Sequence, residues 1–482
     1  MTRITLFLFF WLLAIAPIYS RINIATLPEK DAPPVSADYE VSISGNGTEW
    51  QKVPVLHCDV DMHKVSKASF AEFDTDSPVT VRVRNLRPDG AFGSIDRVAV
   101  RPTQLGIIPK KIDERTVEFT LPSPKYVSVE FGNDLHHNLH VFANLLLTEH
   151  YAGDGQQTIN WAGEAAHDVF VKDAKVIYFG PGMHRPKDLP SSEIKIPSNT
   201  TVYIAPGAVI KARLIVDHAE NVRIISRGVI DHPLRGLEIT FSKNVYVDGL
   251  TILNPMHYSV FGGQSEYITL KNIKAFSSRG WSDGIDLMCC KHVKIENVFL
   301  RNSDDNLAFY NHRWWYWGGT EDIEVSKAVL WCDFAHPVNI GSHGDDRSVT
   351  GEVLKNVKIH DTDILYHNGD GALTISCGDK NHISDITFDN IRIDNIKRGR
   401  VFDFKVVFGA KYNRAPGNSV SNVTLSNINL FGNTELLPSR IMDYDEARKV
   451  NNIKLSNVCV IGQKMRMSDV ERSMQVTSSQ PF

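Results

Sequence analysis

The chain has 482 residues, 52 basic and 56 acidic side chains, a formal net charge of −4 and 42% hydrophobic residues. That length exceeds one ordinary small domain and fits two domains or one large β architecture, with apolar content ample for a core. The near-balanced charge excludes a nucleic-acid or membrane-surface binder and gives no special affinity for a polyanion.

Residues 1–20 read as a secretory signal: Arg3 supplies a positive start, Ile4 to Ile15 is almost wholly apolar, and Ala16-Pro17-Ile18-Tyr19-Ser20 breaks the run. The apolar stretch is shorter than a membrane span needs. The expectation is a secreted or periplasmic protein with no membrane span once the signal is removed. Six cysteines in a chain of this length do not form a disulfide scaffold, and no C-x-x-C or Cys/His zinc spacing occurs. Buried free thiols are expected. No metal set and no cofactor motif stands out.

After a Pro-rich opening at Asp31 to Pro34, Tyr39–Ile43, Val79–Val83, Thr116–Thr120 and Tyr126–Phe131 alternate apolar and polar residues. Gly, Asp, Asn and Pro clusters punctuate them. This predicts an antiparallel β-sandwich domain over 31–148, and no catalytic constellation lies in it. From about Ala174 the texture changes. Two opening strands, at Val176–Phe179 and Val202–Ala205, close on Pro-Gly turns, and a β-branched anchor then recurs at Val222, Val245, Ile268, Val293, Ile323, Val357, Ile386, Val423 and Ile453. The spacings are 23, 23, 25, 30, 34, 29, 37 and 30 residues, with an Asn beside or shortly after most anchors. Short β segments at a period of this size, without helical periodicity, predict a solenoid whose coils must stack to bury their apolar faces. The leucine-dense consensus of a leucine-rich repeat is absent, and hairpin signals are too few for propeller blades. The fold class is therefore all-β, a right-handed parallel β-helix over 175–465 preceded by the sandwich. The longer coils after Ile268 place extra loop on the face where binding surfaces form.

Two carboxylate motifs interrupt successive coils: W-S-D-G-I-D-L at Trp281–Leu287 and N-S-D-D-N-L at Asn302–Leu307. Asp283 lies 15 residues after Ile268, Asp304 and Asp305 lie 11 and 12 after Val293, His336 lies 13 after Ile323, and Asp370 lies 13 after Val357. Equal offsets on neighbouring coils stack about 4.8 Å apart, so three carboxylates and an imidazole line one face. Asp and Asn are common at β-helix turns, where they cap backbone groups, and Asp286 is read that way. A vicinal Asp304-Asp305 pair beside an aligned third Asp is different, because gathering carboxylates costs free energy through like-charge repulsion and raises at least one pKa. Glycoside cleavage uses such a set: a protonated carboxyl donates to the leaving oxygen while a carboxylate activates water on the opposite face of the sugar.

These motifs resemble the N-T-D-G and D-D segments of glycoside hydrolase family 28, the polygalacturonases, and A-H-P-V-N-I-G-S at Ala335–Ser342 resembles that family's G-H-G-x-S-I-G-S. The likeness to glycoside hydrolase family 49, dextranases and isopullulanases, is broader. It includes Y-F-G-P-G-M-H at Tyr178–His184, Y-I-A-P-G-A-V-I-K at Tyr203–Lys211, D-D-x-x-x-x-Y at Asp304–Tyr310, A-V-L-W at Ala328–Trp331 and a sandwich ahead of the β-helix. The resemblance implies an inverting glycoside hydrolase, with Asp304 as general acid, Asp283 and Asp305 holding the water, and His336 as the family histidine. Two departures bear on substrate. The R-I-K segment that grips a uronate in polygalacturonases is replaced by Asp370–Ser376, and the lysine usual after D-D is replaced by Tyr310. A desolvated uronate needs a charged partner, so a neutral, dextran-like glucan is expected, with a pectin-type uronate as alternative and Arg313, Arg347 or Lys405 as the cations it would need.

Further substrate contacts are expected around this centre. Trp314-Trp315-Tyr316-Trp317 either stacks on sugar faces, Trp315 foremost, or packs on the solenoid. His257, 12 residues after Val245, either binds substrate or is a satisfied turn histidine, and His343, 20 after Ile323, is a rim or loop residue. Tyr310 and Asp370 complete the substrate-binding candidates. The partner is thus a polysaccharide or oligosaccharide. A lyase on the same fold would need a uronate and a Lys or Arg base, and a non-catalytic glycan binder would not need an intact carboxylate trio.

Overall fold

The computed structural model describes residues 21–27, 33–88, 95, 97–132, 134–151, 157–158, 175–185 and 193–475. The expected signal segment, 1–20, and the start of the Pro-rich opening lie outside them.

Two sheets form the N-terminal part. One orders Gln51–Val53, Tyr39–Ser44, Val79–Asn85, Thr116–Leu121 and Lys110–Lys111, all antiparallel. The other orders Ile22–Asn23, Ser66–Thr75, Leu139–Leu145, Tyr126–Phe131 and Val98–Arg101, with Val55–Val60 also paired to Ser66–Thr75. Alternate residues of both, among them Val41, Val81, Phe119, Phe73, Val129 and Val141, meet in one core. The wholly antiparallel arrangement expected is not met, because Leu139–Leu145 runs parallel to Ser66–Thr75. Parallel neighbours need a crossover, and the chain makes it by visiting the other sheet through Val79–Asn85 and Thr116–Leu121 between the two strands.

From Val176 to Met474 the chain winds as a parallel β-helix. Every anchor read from the sequence pairs with the next: Val222 with Val245, then Ile268, Val293, Ile323, Val357, Ile386, Val423 and Ile453. The anchors from Val222 to Val423 are fully buried in one continuous core. Each such side chain is worth about 1.5–3 kcal/mol relative to exposure. The accompanying asparagines turn the coil. Asn221, Asn244, Asn272, Asn297, Asn356, Asn390, Asn427 and Asn457 have positive φ, which Asn tolerates better than most residues. Their amides donate to the coil below, as Asn244 to Asn221 (2.6 Å) and Asn297 to Asn272 (2.7 Å).

The sandwich packs along the flank of the solenoid. Leu56, Val60, Phe70, Tyr126 and Phe142 meet Phe276, Phe299, Trp331 and Tyr366 in a shared apolar cluster. Through it runs Arg301, which is 0% exposed and immediately precedes the N-S-D-D motif. Its guanidinium pairs with Asp333 at 3.3 Å and donates to Asn138 Oδ1 (2.6 Å) and the Leu135 carbonyl (2.7 Å) of the sandwich. All six cysteines are free, and all but Cys459 are buried. Among the described residues, no helix is long and apolar enough to cross a membrane.

Candidate active site

Three consecutive coils carry the site at one position. Ile285 pairs with Leu307 and Leu307 with Val338, so the residues two places earlier, Asp283, Asp305 and His336, stack in a row. The turns are laced together: the Gly284 N–H donates to the Asp305 carbonyl (2.8 Å) and the Asn306 N–H to the His336 carbonyl (2.9 Å). Asn302 donates to Ser277 Oγ (2.9 Å) and the Ser282 carbonyl (3.2 Å), tying the D-D turn to the turn of Asp283. Gly284 permits this approach, since a Cβ there would lie 2.3 Å from the Asn306 carbonyl oxygen and 2.8 Å from Asn302 Oδ1.

The two vicinal aspartates have opposite surroundings. Asp305 Oδ1 accepts from the His336 backbone N–H (3.0 Å) and faces His336 Nδ1 at 2.8 Å, and its Oδ2 accepts from Asn339 Nδ2 (2.7 Å). Burial alone would raise its pKa, but His336 and Asn339 outweigh it and hold the carboxyl below the usual carboxylate range. His336 is correspondingly raised: burial opposes its charge, and Asp305 more than compensates. Asp304 accepts only from backbone, the N–H of Trp281 at Oδ2 (2.8 Å) and of Asp305 at Oδ1 (3.1 Å). Burial and the neighbouring Asp305 charge push it up to about 6. One carboxyl that keeps its proton to near neutrality thus adjoins one that is ionised, the division of labour acid–base cleavage needs. Asp283 is buried, its Oδ1 has no partner, and burial with the nearby Asp286, Asp304 and Asp305 raises it well above its ordinary value.

One oxygen from each of Asp283, Asp304 and Asp305 lies within 4.8 Å of the others, the one such potential metal-binding group among the described residues. His336 and Arg313 already compensate this negative charge, so the set is read as an acid–base centre.

Asp286 departs from its reading as a turn residue. It lies on the strand Ile285–Met288, where Ile285 and Leu287 point into the core and Asp286 to the opposite face. It is 0% exposed and neither of its oxygens has a hydrogen-bond partner. Arg313 is one of the three cations that a uronate substrate would need. It sits half-buried over the rings of Trp314 (4.9 Å), Tyr310 (5.2 Å) and Tyr258 (5.8 Å), close enough to act on Asp283 and Asp286. Lys405 influences His336 but is held by Asp403 (2.9 Å), which Arg440 also grips (2.8 Å).

The other expected residues divide. Tyr310 is buried beneath the cleft with the His343 ring 5.0 Å away. His343 is thus against the site floor, and burial beside Arg313 lowers it to about 3. His257 accepts at Nδ1 from the Tyr258 N–H (2.9 Å) and its ring lies near Trp314 (6.3 Å). Burial with Arg235 and Arg313 lowers it to about 4, so it is neutral. Asp370 is exposed at the rim, within electrostatic reach of His336. The aromatic segment does both things expected of it. Tyr316 is buried against Phe261 (5.5 Å), over Gly263, where a Cβ would lie 2.4 Å from its ring. Trp315 is left 61% exposed, stacked on Trp314 at 5.8 Å. Trp281, whose N–H holds Asp304, also exposes its indole. Sequence reasoning missed Asp286, Asn339 and the Trp281 N–H; strand alternation through I-D-L was the available signal for the first.

The family profile described as "Glycosyl hydrolases family 28" matches residues 230–478. A polygalacturonase of Juniperus ashei is 24% identical over 373 residues, covering 67% of this chain and 69% of that protein. A dextranase of Arthrobacter sp. (strain CB-8) is 24% identical over 352 residues, 56% of this chain and 51% of that protein. Among solved structures, Dex49A from Penicillium minioluteum superposes with a TM-score of 0.50 and 16% identity over 85% of this chain and 91% of its own. The expected likeness to families 28 and 49 and the β-helix fold are both borne out.

Proposed function

The chain belongs to glycosyl hydrolases family 28 and is a glycoside hydrolase of the parallel β-helix type; from that premise we propose that it is an exported enzyme that cleaves α-glycosidic bonds of a polysaccharide or oligosaccharide by single displacement with inversion. The observation that carries this reading is the pairing of Asp304, raised to about 6, with the ionised Asp305 beside it. Asp304 gives its proton to the glycosidic oxygen as the bond from C1 to that oxygen breaks. A water between Asp283 and Asp305 attacks C1 from the other face and passes its proton to the carboxylate pair. The gap among the three oxygens, within 4.8 Å, is below the roughly 6.5–9.5 Å usual for inverting pairs. Inversion therefore rests on family membership. The catalytic work belongs to the solenoid, 175–465, and export rests on the apolar residues 4–15.

The missing R-I-K cations made a neutral glucan the expectation. Arg313 removes the premise of that argument: its side chain makes no ion pair among the described residues and lies on the aromatic floor, within electrostatic reach of Asp283 and Asp286. A guanidinium so placed suits a sugar carboxylate. With polygalacturonases among the relatives, a uronate-bearing polysaccharide becomes the first substrate class. A neutral α-glucan is the second reading. It is favoured by the engagement of Lys405 and Arg440 with Asp403, which ties up these two cations, and by the likeness to a dextranase.

The test is initial-rate hydrolysis and product sizing on polygalacturonate, pectin and dextran, with proton NMR of the first-released anomer. Polygalacturonate should be preferred, the first anomer should be inverted, and Arg313→Met should lose about tenfold to 10²-fold in kcat/KM, the worth of a hydrogen bond to a charged group. Dextran cleaved in preference, with Arg313→Met neutral, transfers the assignment to the glucan. Ultraviolet-absorbing unsaturated products would mean a lyase, and binding without cleavage a glycan-binding protein.

A further inference from the structure

The hydrolytic scheme leaves one group unused and one difficulty unsolved. The unused group is Asp286, wholly buried with two unpartnered carboxyl oxygens. The difficulty is Asp283, which must be ionised to accept a proton from water, yet is buried among carboxylates with Oδ1 unpartnered. A buried carboxyl without a partner is costly, and two unpartnered carboxyls side by side are more so unless a proton lies between them. The residues are three apart on the same coil, one in the turn and one at the second position of the following strand, and the two buried carboxyls lie close enough to act on each other.

We propose that Asp286 is a positioning residue for the hydrolysis: it retains a proton at working pH and donates it to Asp283, so that the pair carries one negative charge, seated on Asp283 where the water binds. The assignment rests on the hydrolytic reading above. The neighbours set the sites of proton and charge. Asp304 and Asp305 on the next coil disfavour a second charge at the pair, Arg313 favours a first, and Tyr258 and Tyr310, on which Asp286 also acts, stay protonated. Asp286 is 0% exposed whereas Asp283 retains 4%, so the inner carboxyl is the one that cannot reach water and keeps the proton. One oxygen of Asp286 thereby becomes a donor and Oδ1 of Asp283 its acceptor. A neutral Asp286 also leaves the Arg313 charge free for substrate.

The pH dependence of kcat separates this role from a purely structural one. In Asp286→Asn the amide still donates to Asp283, so kcat should stay within about fivefold and the acid limb should not move. In Asp286→Ala the Asp283 anion loses its donor and holds its proton to higher pH. The acid limb should then move upward by about one pH unit or more, and kcat should fall by about 10²-fold, the scale of a misplaced catalytic group. An ionised Asp286 would give the opposite sign: both substitutions would remove a repelling charge and move the acid limb downward. That result, or a limb unmoved in Asp286→Ala, overturns the proposal. A second measurement does not depend on turnover. In an Asp304→Asn background, which removes the raised carboxyl of the adjoining coil, the infrared spectrum at neutral pH should contain a protonated-carboxyl C=O component that Asp286→Asn abolishes, read as the difference between the two proteins. Absence of the band, or its survival in Asp286→Asn, also overturns the proposal. Failure of the hydrolytic reading registers separately, as full activity in Asp304→Asn alone.

Discussion

The general acid can be tested by its own titration. Asp304 is raised to about 6 by burial and by the charge of Asp305. A group with that pKa is about nine-tenths protonated at pH 5, half at pH 6 and about one-tenth at pH 7. Asp305 is held below the ordinary carboxylate value, so the ionised partner is present throughout this range. The signs therefore combine to place the optimum of kcat on the acid side of 6. Above it the rate follows the protonated fraction, falling about tenfold per pH unit. Asp304→Asn removes the transferable proton but keeps an acceptor oxygen for the Trp281 N–H, so the fold should be retained while kcat drops by about 10²–10⁴. The loss should shrink on an aryl glycoside, whose leaving group departs without protonation. The assay is initial rate against pH from 4 to 9 for both proteins, with thermal unfolding as control. A flat profile between pH 5 and 8, an alkaline limb near 6 that persists in Asp304→Asn, or wild-type turnover in that variant would refute the assignment.

Two other outcomes concern the surroundings of the site. Arg301→Ala leaves the buried Asp333 carboxylate with only the Trp331 indole N–H (2.8 Å) as partner and frees Asn138 Oδ1 and the Leu135 carbonyl; stability to urea should fall by roughly 3–5 kcal/mol, and a change below about 1 kcal/mol would mean that the sandwich is not tied to the D-D coil through this residue. Trp315→Ala should raise KM about two- to tenfold with kcat held, the worth of one aromatic contact; a drop in kcat at constant KM would place the indole in the chemistry instead of a subsite.

The fold was legible because a solenoid repeats. One buried β-branched residue per coil, with a residue able to take positive φ close by, most often Asn, recurs from turn to turn. Repeating it from Val222 to Ile453 lets register be read without pair information. The sandwich offered no such repetition. Its strands were visible by alternation, but the parallel pairing of Leu139–Leu145 with Ser66–Thr75 depends on which sheet the chain visits in between, and no local pattern encodes that. Arg301 shows the same limit. On its own strand it is an ordinary outward residue, and only the docked sandwich makes it a buried one.

The same contrast runs through the catalytic centre. Offsets from the anchors placed Asp283, Asp305 and His336 in line because backbone register alone determines that. Whether a carboxyl there is ionised depends on side chains from other coils. Asn339 reaches Asp305 from 34 residues on, and the Trp281 N–H reaches Asp304 from 23 residues back. Asp286 was misjudged for a related reason. In the motif S-D-G-I-D-L, Gly284 marks the turn, and a second Asp so close to it looks like a cap. Yet Ile285 and Leu287 are both core residues, and alternation then obliges Asp286 to leave the core on the side of the site. An aspartate between two buried aliphatics on a strand has no backbone group to cap, so its carboxyl must find charge, a proton or water. In this cleft Arg313 is shared among several acids, and a proton is the partner that satisfies Asp286 without taking that cation from the substrate.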